Sequence, residues 1–300
     1  MSTRAATAVG FISILLWSQL AVLTTLSGSV PPFQLVAMSF VLAGVIGLAY
    51  LLRVPNGFRS LIAAPPGAWA LGVTGLFGYH FFYFLALRSA PALEANLINY
   101  LWPLLIVLFS AALPARGVDG GLKWWHTSGA ALGLAGTVLI VAGNNDGGSL
   151  PGGNSIPWLG YGAALGAALV WSSYSVANRR FANVPSTSVA GFCFVTALAA
   201  ALAHLALETT VWPASSSEWA AIAGLGLGPV GAAFYFWDYG VKHGDIRVLG
   251  AAAYAIPMLS TLSLVAFGLS KATPSLWTAC VFITVGAALA AKDMLFAPKK

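Results

Sequence analysis

Ten apolar runs, each close to twenty residues, occupy most of the chain: 7–26, 32–52, 67–88, 92–113, 123–143, 158–178, 187–207, 219–241, 247–269 and 274–292. Coiled as an α-helix, a run of that length matches the hydrocarbon thickness of a bilayer. Lipid offers no partner to a backbone N–H or C=O, so only helices or closed barrels can cross it. Barrel strands alternate polar and apolar residues with period two, and these runs do not alternate. The sequence therefore predicts an all-α integral membrane protein with ten transmembrane helices. Composition agrees, with 7% charged residues where a soluble domain carries about 25%.

The first run follows only Arg4, is too long for a signal-peptide core and precedes no A-x-A cleavage site, so it is read as a retained helix. Ten crossings put both termini on one side. On that side fall Arg4, Arg53, Arg59, Arg116, Lys123, Arg179, Arg180, Lys242, Arg247, Lys292, Lys299 and Lys300, against only Arg88 and Lys271 on the other. This asymmetry predicts cytoplasmic termini. It also explains the net charge of +6 without nucleic acid as a partner. Cys193 and Cys280 lie within apolar runs and read as small hydrophobes.

The stretch 144–157, NNDGGSLPGGNSIP, reads as a flexible connector. It separates two five-helix halves, 1–145 and 155–300. At a constant offset of 154, Trp17 falls on Trp171, Pro31 on Pro185, Gly72 on Gly226, Arg88 on Lys242, Tyr100 on Tyr254 and Pro103 on Pro257. Five is odd, so the second copy crosses in the opposite sense. Inverted repeats of this kind build transporters whose substrate sits near the midplane, between the halves. The expected fold is two inverted five-helix repeats around a central cavity. Segments 1–4 and 6–9 should line it, leaving segments 5 and 10 peripheral.

The five-plus-five layout, the W-S step in segments 1 and 6 and the stretch ALRSAPALEANLINYLWPLL, with its second copy YGVKHGDIRVLGAAAYAIPML, resemble the drug/metabolite transporter superfamily, EamA type. Aromatic enrichment around segments 3, 4 and 8 looks most like the bacterial aromatic amino-acid exporters of that superfamily. Many relatives carry a glutamate at the end of segments 4 and 9, where this chain has LPARGV (113–118) and FGLSKA (267–272). Coupling chemistry assigned to that acid does not carry over. The small multidrug relatives exchange protons through a first-helix glutamate. Here the first segment offers only Ser13, Ser18, Gln19, Thr24 and Thr25.

Asn96, Asn99, Tyr100 and Pro103 stand at i, i+3, i+4 and i+7 and share one helical face. Polar groups at membrane depth avoid lipid. One such Asn is accounted for by helix packing, worth about 0.6–2 kcal/mol. A stripe of four inside an inverted repeat reads as a cavity wall. Segment 3 adds Tyr79, His80 and Tyr83. Segment 6 aligns Trp171, Tyr174, Ser175 and Asn178. Segment 8 puts Trp237 at the repeat position of Tyr83, and segment 1 places Ser13, Trp17 and Thr24 near one face. Rings with a few hydroxyls and amides suit a partly aromatic solute. Trp124, Trp125, Trp158, Trp212 and Trp219 fit an interfacial belt instead. His80 reads as a hydrogen-bonding wall residue, with proton relay as the alternative.

Glu94 and Asp238 each lie about one turn from a helix end, on opposite sides of the membrane. No deep Lys or Arg is evident for a phosphorylated anion, and no mid-helix acid for a cationic drug. The sequence carries no H-E-x-x-H motif, no histidine box and no phosphate-binding loop, so neither an enzyme nor a bound cofactor is expected. Gly129/Gly133 and Gly162/Gly166 form G-x-x-x-G pairs that suit close helix packing. The reading is a multi-pass transporter of the bacterial inner membrane exporting aromatic or hydrophobic amino acids by alternating access. Cationic drugs or purine-like metabolites are the alternative substrates. Trp17, Tyr79, His80, Tyr83, Asn96, Asn99, Tyr100, Trp171, Tyr174 and Trp237 are the expected contacts, and Pro103 and Pro257 the expected hinges.

Overall fold

The structure is a computed structural model that describes residues 2–53, 55–90, 92–112, 123–143, 157–268, 274–290 and 292. Apart from Pro157, the connector 144–157 lies outside the described residues. So do 113–118, most of 267–272 and the side chain of Glu94. Helix occupies all ten apolar segments, and no strand occurs among the described residues. Six stretches are long and apolar enough to cross a membrane: Thr3–Leu26, Pro32–Leu51, Pro66–Ser89, Ser186–Leu207, Ser216–His243 and Ile246–Ala266.

Several of these stretches are segmented. In chain order the first half holds α1 (Thr3–Trp17), α2 (Leu20–Leu26), α3 (Pro32–Leu51), α4 (Gly57–Ile62), α5 (Pro66–Val73), a π segment (Thr74–Gly78), α6 (Tyr79–Ser89), α7 (Ala92–Asn99), α8 (Trp102–Ala112) and α9 (Trp124–Gly143). The second half holds α10 (Pro157–Ala177), α11 (Val189–Leu207), α12 (Ser216–Leu227), a second π segment (Gly228–Ala232), α13 (Ala233–His243), α14 (Ile246–Ala252), α15 (Ala255–Ala266) and α16 (Pro274–Ala290).

Local chemistry sets these boundaries. α3, α5, α10 and α16 each begin on a proline, whose missing N–H falls where a helix start has no partner for it. Ser215 caps α12 by accepting the Glu218 amide at 3.3 Å, and Asp245 caps α14 by accepting the Arg247 amide at 3.0 Å. Pro103 cannot donate to Asn99, and just upstream the Leu101 amide turns to Ile98 O at 3.1 Å. The same slip recurs before Pro257, where the Ile256 amide reaches Ala253 O at 3.0 Å. Each fourth-position segment is thus broken into α7/α8 and α14/α15.

Several element boundaries repeat with the sequence offset of 154. The π segments Thr74–Gly78 and Gly228–Ala232 keep that spacing, and so do α6 and α13, at Tyr79–Ser89 and Ala233–His243. Packing follows the same relation. α1 lies on α13 and α10 on α6, while α3 pairs with α11 and α9 with α16. The pair α9/α16 corresponds to segments 5 and 10, and among the described residues it also packs on α7, α8, α14 and α15. Of the two G-x-x-x-G pairs, Gly129/Gly133 backs this seam: a methyl on Gly133 would sit 2.5 Å from the Tyr254 ring. At Gly162 there is open space.

Candidate functional site

Two residue pairs, one on α6 and one on α7, meet first. Tyr79 and Tyr83, one turn apart on α6, stack with ring centroids 5.8 Å apart and planes within 5°. Tyr83 donates its hydroxyl hydrogen to Asn96 Oδ1 at 2.8 Å, and Asn99 Nδ2 donates to the Tyr79 hydroxyl at 3.3 Å. The i, i+4 pair on α6 therefore answers the i, i+3 pair on α7. Asn99 is 3% exposed and its Oδ1 has no partner among the described residues. Tyr79, Tyr83, Asn96 and Tyr100 are half-buried.

The second part is a cluster of indole and phenyl rings. Trp17 from α1 is its hub, with ring centroids at 6.5 Å from Trp102, 5.5 Å from Trp171, 5.9 Å from Phe234 and 5.1 Å from Trp237. Trp171 in turn meets Tyr79 at 5.5 Å and Tyr174 at 5.3 Å, joining the cluster to the tyrosine–asparagine rim. Most of these contacts are edge-on or tilted, the arrangement ring quadrupoles favour. Trp171, Tyr174 and Trp237 keep almost no accessible surface, whereas Trp17 and His80 remain half-buried.

The π segments explain how this cluster is held. A wide turn leaves carbonyls off the regular ladder, and site side chains take them. The Trp17 indole N–H donates to Pro229 O at 3.0 Å and Ser13 donates to Ala233 O at 2.8 Å. His80 Nδ1 lies 2.7 Å from Leu76 O, so Nδ1 carries the hydrogen, and in a neutral ring Nε2 is the free acceptor. His80 packs edge-on against Phe40 of α3 at 5.3 Å, and Phe40 stacks on Phe234 at 5.5 Å. Gly75 is required here, because a methyl group would sit 2.4 Å from the Tyr174 ring.

The structure thus brings nine of the ten expected residues into one connected set. Tyr100 adjoins it through its backbone N–H to Asn96 O at 2.8 Å. Sequence reasoning missed Trp102, Phe234 and Phe40. Trp102 stood within the quoted NYLWPLL stretch, one residue off the polar face, while the two phenylalanines look like any other in an apolar run.

Sequence reasoning also missed two charged networks. Asp238 is fully buried, its Oδ2 2.8 Å from Lys242 Nζ and its Oδ1 accepting from Asn178 Nδ2 at 2.7 Å. Lys242 also donates to Val184 O at 3.0 Å, so a lysine counted with the cytoplasmic loop charges is an interior ion pair. Near the C-terminus of α11, Glu208 accepts the Phe33 and Gln34 amides at the N-terminus of α3, each at 3.1 Å. It also binds Arg88 at 2.5 Å and His204 Nδ1 at 2.9 Å. Among the described residues no group of acids, histidines and cysteines could hold a metal ion.

Known proteins are similar to this chain over nearly its whole length. A solved crystal structure, 49% identical, superposes with a TM-score of 0.87 and covers 97% of this chain and 99% of the other. A protein of Ancylobacter novellus named aromatic amino acid exporter YddG is 51% identical over 97% of this chain and 98% of its own length. Proteins of the same name from Salmonella typhimurium and Escherichia coli are 25% and 23% identical, each over 96% of this chain and 97% of the relative. The sequence model of the EamA-like transporter family matches twice, at residues 5–142 and 158–291. Helices that can cross a membrane make this a multi-pass membrane protein, and the chain belongs to the EamA-like transporter family.

Proposed function

We propose that the protein is a secondary transporter that exports aromatic and other hydrophobic amino acids across a bacterial inner membrane by alternating access. Its ten spans form two inverted repeats, 1–145 and 155–300, with both termini cytoplasmic. The offset of 154 in element boundaries and the family match at both halves support the repeat.

The observation that carries the substrate assignment is the junction between the indole cluster and the tyrosine–asparagine rim. A ring has aromatic faces to stack on at Trp17 and Tyr79. The ammonium of an amino acid has acceptors in Asn99 Oδ1 and His80 Nε2, and its carboxylate has hydroxyl and amide donors on Tyr83, Tyr100 and Asn96. The half-buried residues form the walls, and Trp171, Tyr174 and Trp237 form a floor that shapes them. A cationic drug is disfavoured because the buried acid, Asp238, is already neutralised by Lys242. Pro103 and Pro257 act as hinges where α7 meets α8 and α14 meets α15. Transport follows the substrate's own gradient, because the first segment has no acid to carry a coupling proton.

The test is uptake into proteoliposomes with a panel of amino acids, first without ion gradients and then with a proton gradient imposed. Phenylalanine, tyrosine and tryptophan should move at equal rates in both conditions, well ahead of lysine and aspartate. Failure of all three aromatic substrates sinks the substrate assignment. Accumulation only with a proton gradient sinks the uncoupled mechanism.

A further inference from the structure

The two halves repeat in sequence and in their main helix pairings but not in every contact, and a difference falls at the two ends of α11. At its N-terminal end, Lys242 of α13 binds Val184 O; at its C-terminal end, Arg88 of α6 binds Glu208. These ends are about 28 Å apart at 1.5 Å per residue. The N-terminus of α1 belongs to the first face, because the Thr7 hydroxyl accepts the Asp245 amide at 2.8 Å.

On that face α13 is fastened to the end of α10 by three ties. Trp237 Nε1 donates to Ser175 Oγ at 3.0 Å, Asn178 binds Asp238 at 2.7 Å and Lys242 binds Val184 O at 3.0 Å. Shifted by 154, the same pairs become Tyr83 with Ala21, Phe84 with Thr24, and Arg88 with Val30. On the far face those contacts are not made. α13 packs on α10 and the turn that follows it, but no comparable packing joins α6 to α2 among the described residues. Exposure reports the same asymmetry. The Lys242 side chain is 1% exposed and that of Arg88 is 41% exposed. Asn178 is buried and Thr24 is exposed. Among the described residues, the α1 N-terminal face is tied at these three points, and their repeat mates on the other face are not.

We propose that the unmade contacts are the gate of the alternate state. α6 closes on α2, bringing Phe84 against Thr24, Tyr83 against Ala21 and Arg88 onto the Val30 carbonyl, while the Asp238–Asn178 and Lys242–Val184 ties on the opposite face part. Arg88 has a short way to travel, since Glu208 already sits on the Phe33 amide three residues past Val30. Tyr83 then has two duties, because closing the gate takes it from Asn96, and a bound solute that occupies Asn96 releases it. This inference rests on the alternating-access reading above but not on which solute is carried.

Thr24→Cys/Phe84→Cys in a Cys193→Ala/Cys280→Ala background tests it in proteoliposomes, with Ala21→Cys/Phe84→Cys as a second pair. A short bifunctional thiol reagent should link each pair, and spin labels on the same sites should show a short-distance component. Linking should stop transport, and reduction of a disulfide-linked pair should restore it. Adding Asp238→Asn with Lys242→Met, which removes the Lys242–Val184 tie from the opposite face, should raise the linking rate roughly fivefold, the shift expected from losing one hydrogen bond of ordinary strength. Transport that proceeds while neither pair links nor shows a short distance overturns the gate and leaves the substrate assignment standing. Pairs that close in a protein inert toward every amino acid tested overturn the substrate assignment and leave the gate standing.

Discussion

Replacing Lys242 by methionine keeps much of its volume but strands a carboxylate. Lys242 Nζ is 2.8 Å from Asp238 Oδ2, and neither side chain exceeds 1% exposure. Without it Asp238 keeps one hydrogen bond, from Asn178 at 2.7 Å, at a position with no accessible surface. Removing one partner of such a pair costs about 3–5 kcal/mol, because the remaining charge has lost its compensation. Removing both charges is another matter. In Asp238→Asn/Lys242→Met, the new side-chain carbonyl still accepts from Asn178, and the chief loss is the bond to Val184 O, about 1 kcal/mol. The double variant should therefore be more stable than Lys242→Met alone by about 2–4 kcal/mol.

The assay is a double-mutant cycle on purified protein, following unfolding by SDS titration in mixed micelles. Wild type, Asp238→Asn, Lys242→Met and the double variant give the four corners. The expected order places Lys242→Met lowest and the double variant near wild type. Single-variant costs that simply add in the double would mean the two groups do not interact in the folded protein. The ion pair drawn here would then be wrong, and with it the account of how the α1 N-terminal face is tied.

Other outcomes follow from the site. Tyr83→Phe should lose about 0.5–1.5 kcal/mol of stability with the Asn96 bond, and its aromatic amino-acid transport should fall in the liposome assay. Trp171→Ala opens a cavity beneath the indole cluster worth about 3–5 kcal/mol, so membrane expression should drop along with transport; Trp171→Phe, measured at matched expression, is the cleaner probe of substrate contact. Pro103→Ala restores a backbone donor to the α7/α8 break and should slow cycling more than it weakens binding, read as a lower maximal rate at an unchanged half-saturating concentration. Glu208→Gln, which weakens its hold on Arg88 and on the α3 amides, should lower thermal stability in detergent, and a melting curve like that of wild type would remove its anchoring role.

In an apolar chain, hydropathy reports depth but not neighbours, and this decides which parts of the fold could be read in advance. The length of the apolar runs located helix in every segment, because lipid leaves the backbone no other means of satisfying itself. The offset of 154 was carried by Trp, Tyr and Pro, residues rare enough for coincidence to be informative, and it reappears in the π segments and in the breaks before Pro103 and Pro257. The stripe on 96–103 was legible because amides and a phenol in an oily helix demand partners. Which partners they found, Tyr79 and Tyr83, follows only from how α6 and α7 meet.

The charged networks were hidden for a different reason. Asp238 and Lys242 stand at i, i+4, the spacing of an ordinary exposed helix pair, and nothing local separates that case from a buried one. Burial comes from the turn Asn178–Phe181 and from Val184, about 60 residues earlier in the chain, folding over the end of α13. Glu208 is further from legibility still, since it caps a helix whose first turn lies 175 residues before it. Both networks sit at helix ends, where a positive-inside count takes every charge as solvated. A count of that kind uses only which end of a span a lysine falls at, paired or not. It says nothing of whether the charge is free, and at the end of α13 that is the property the tie depends on.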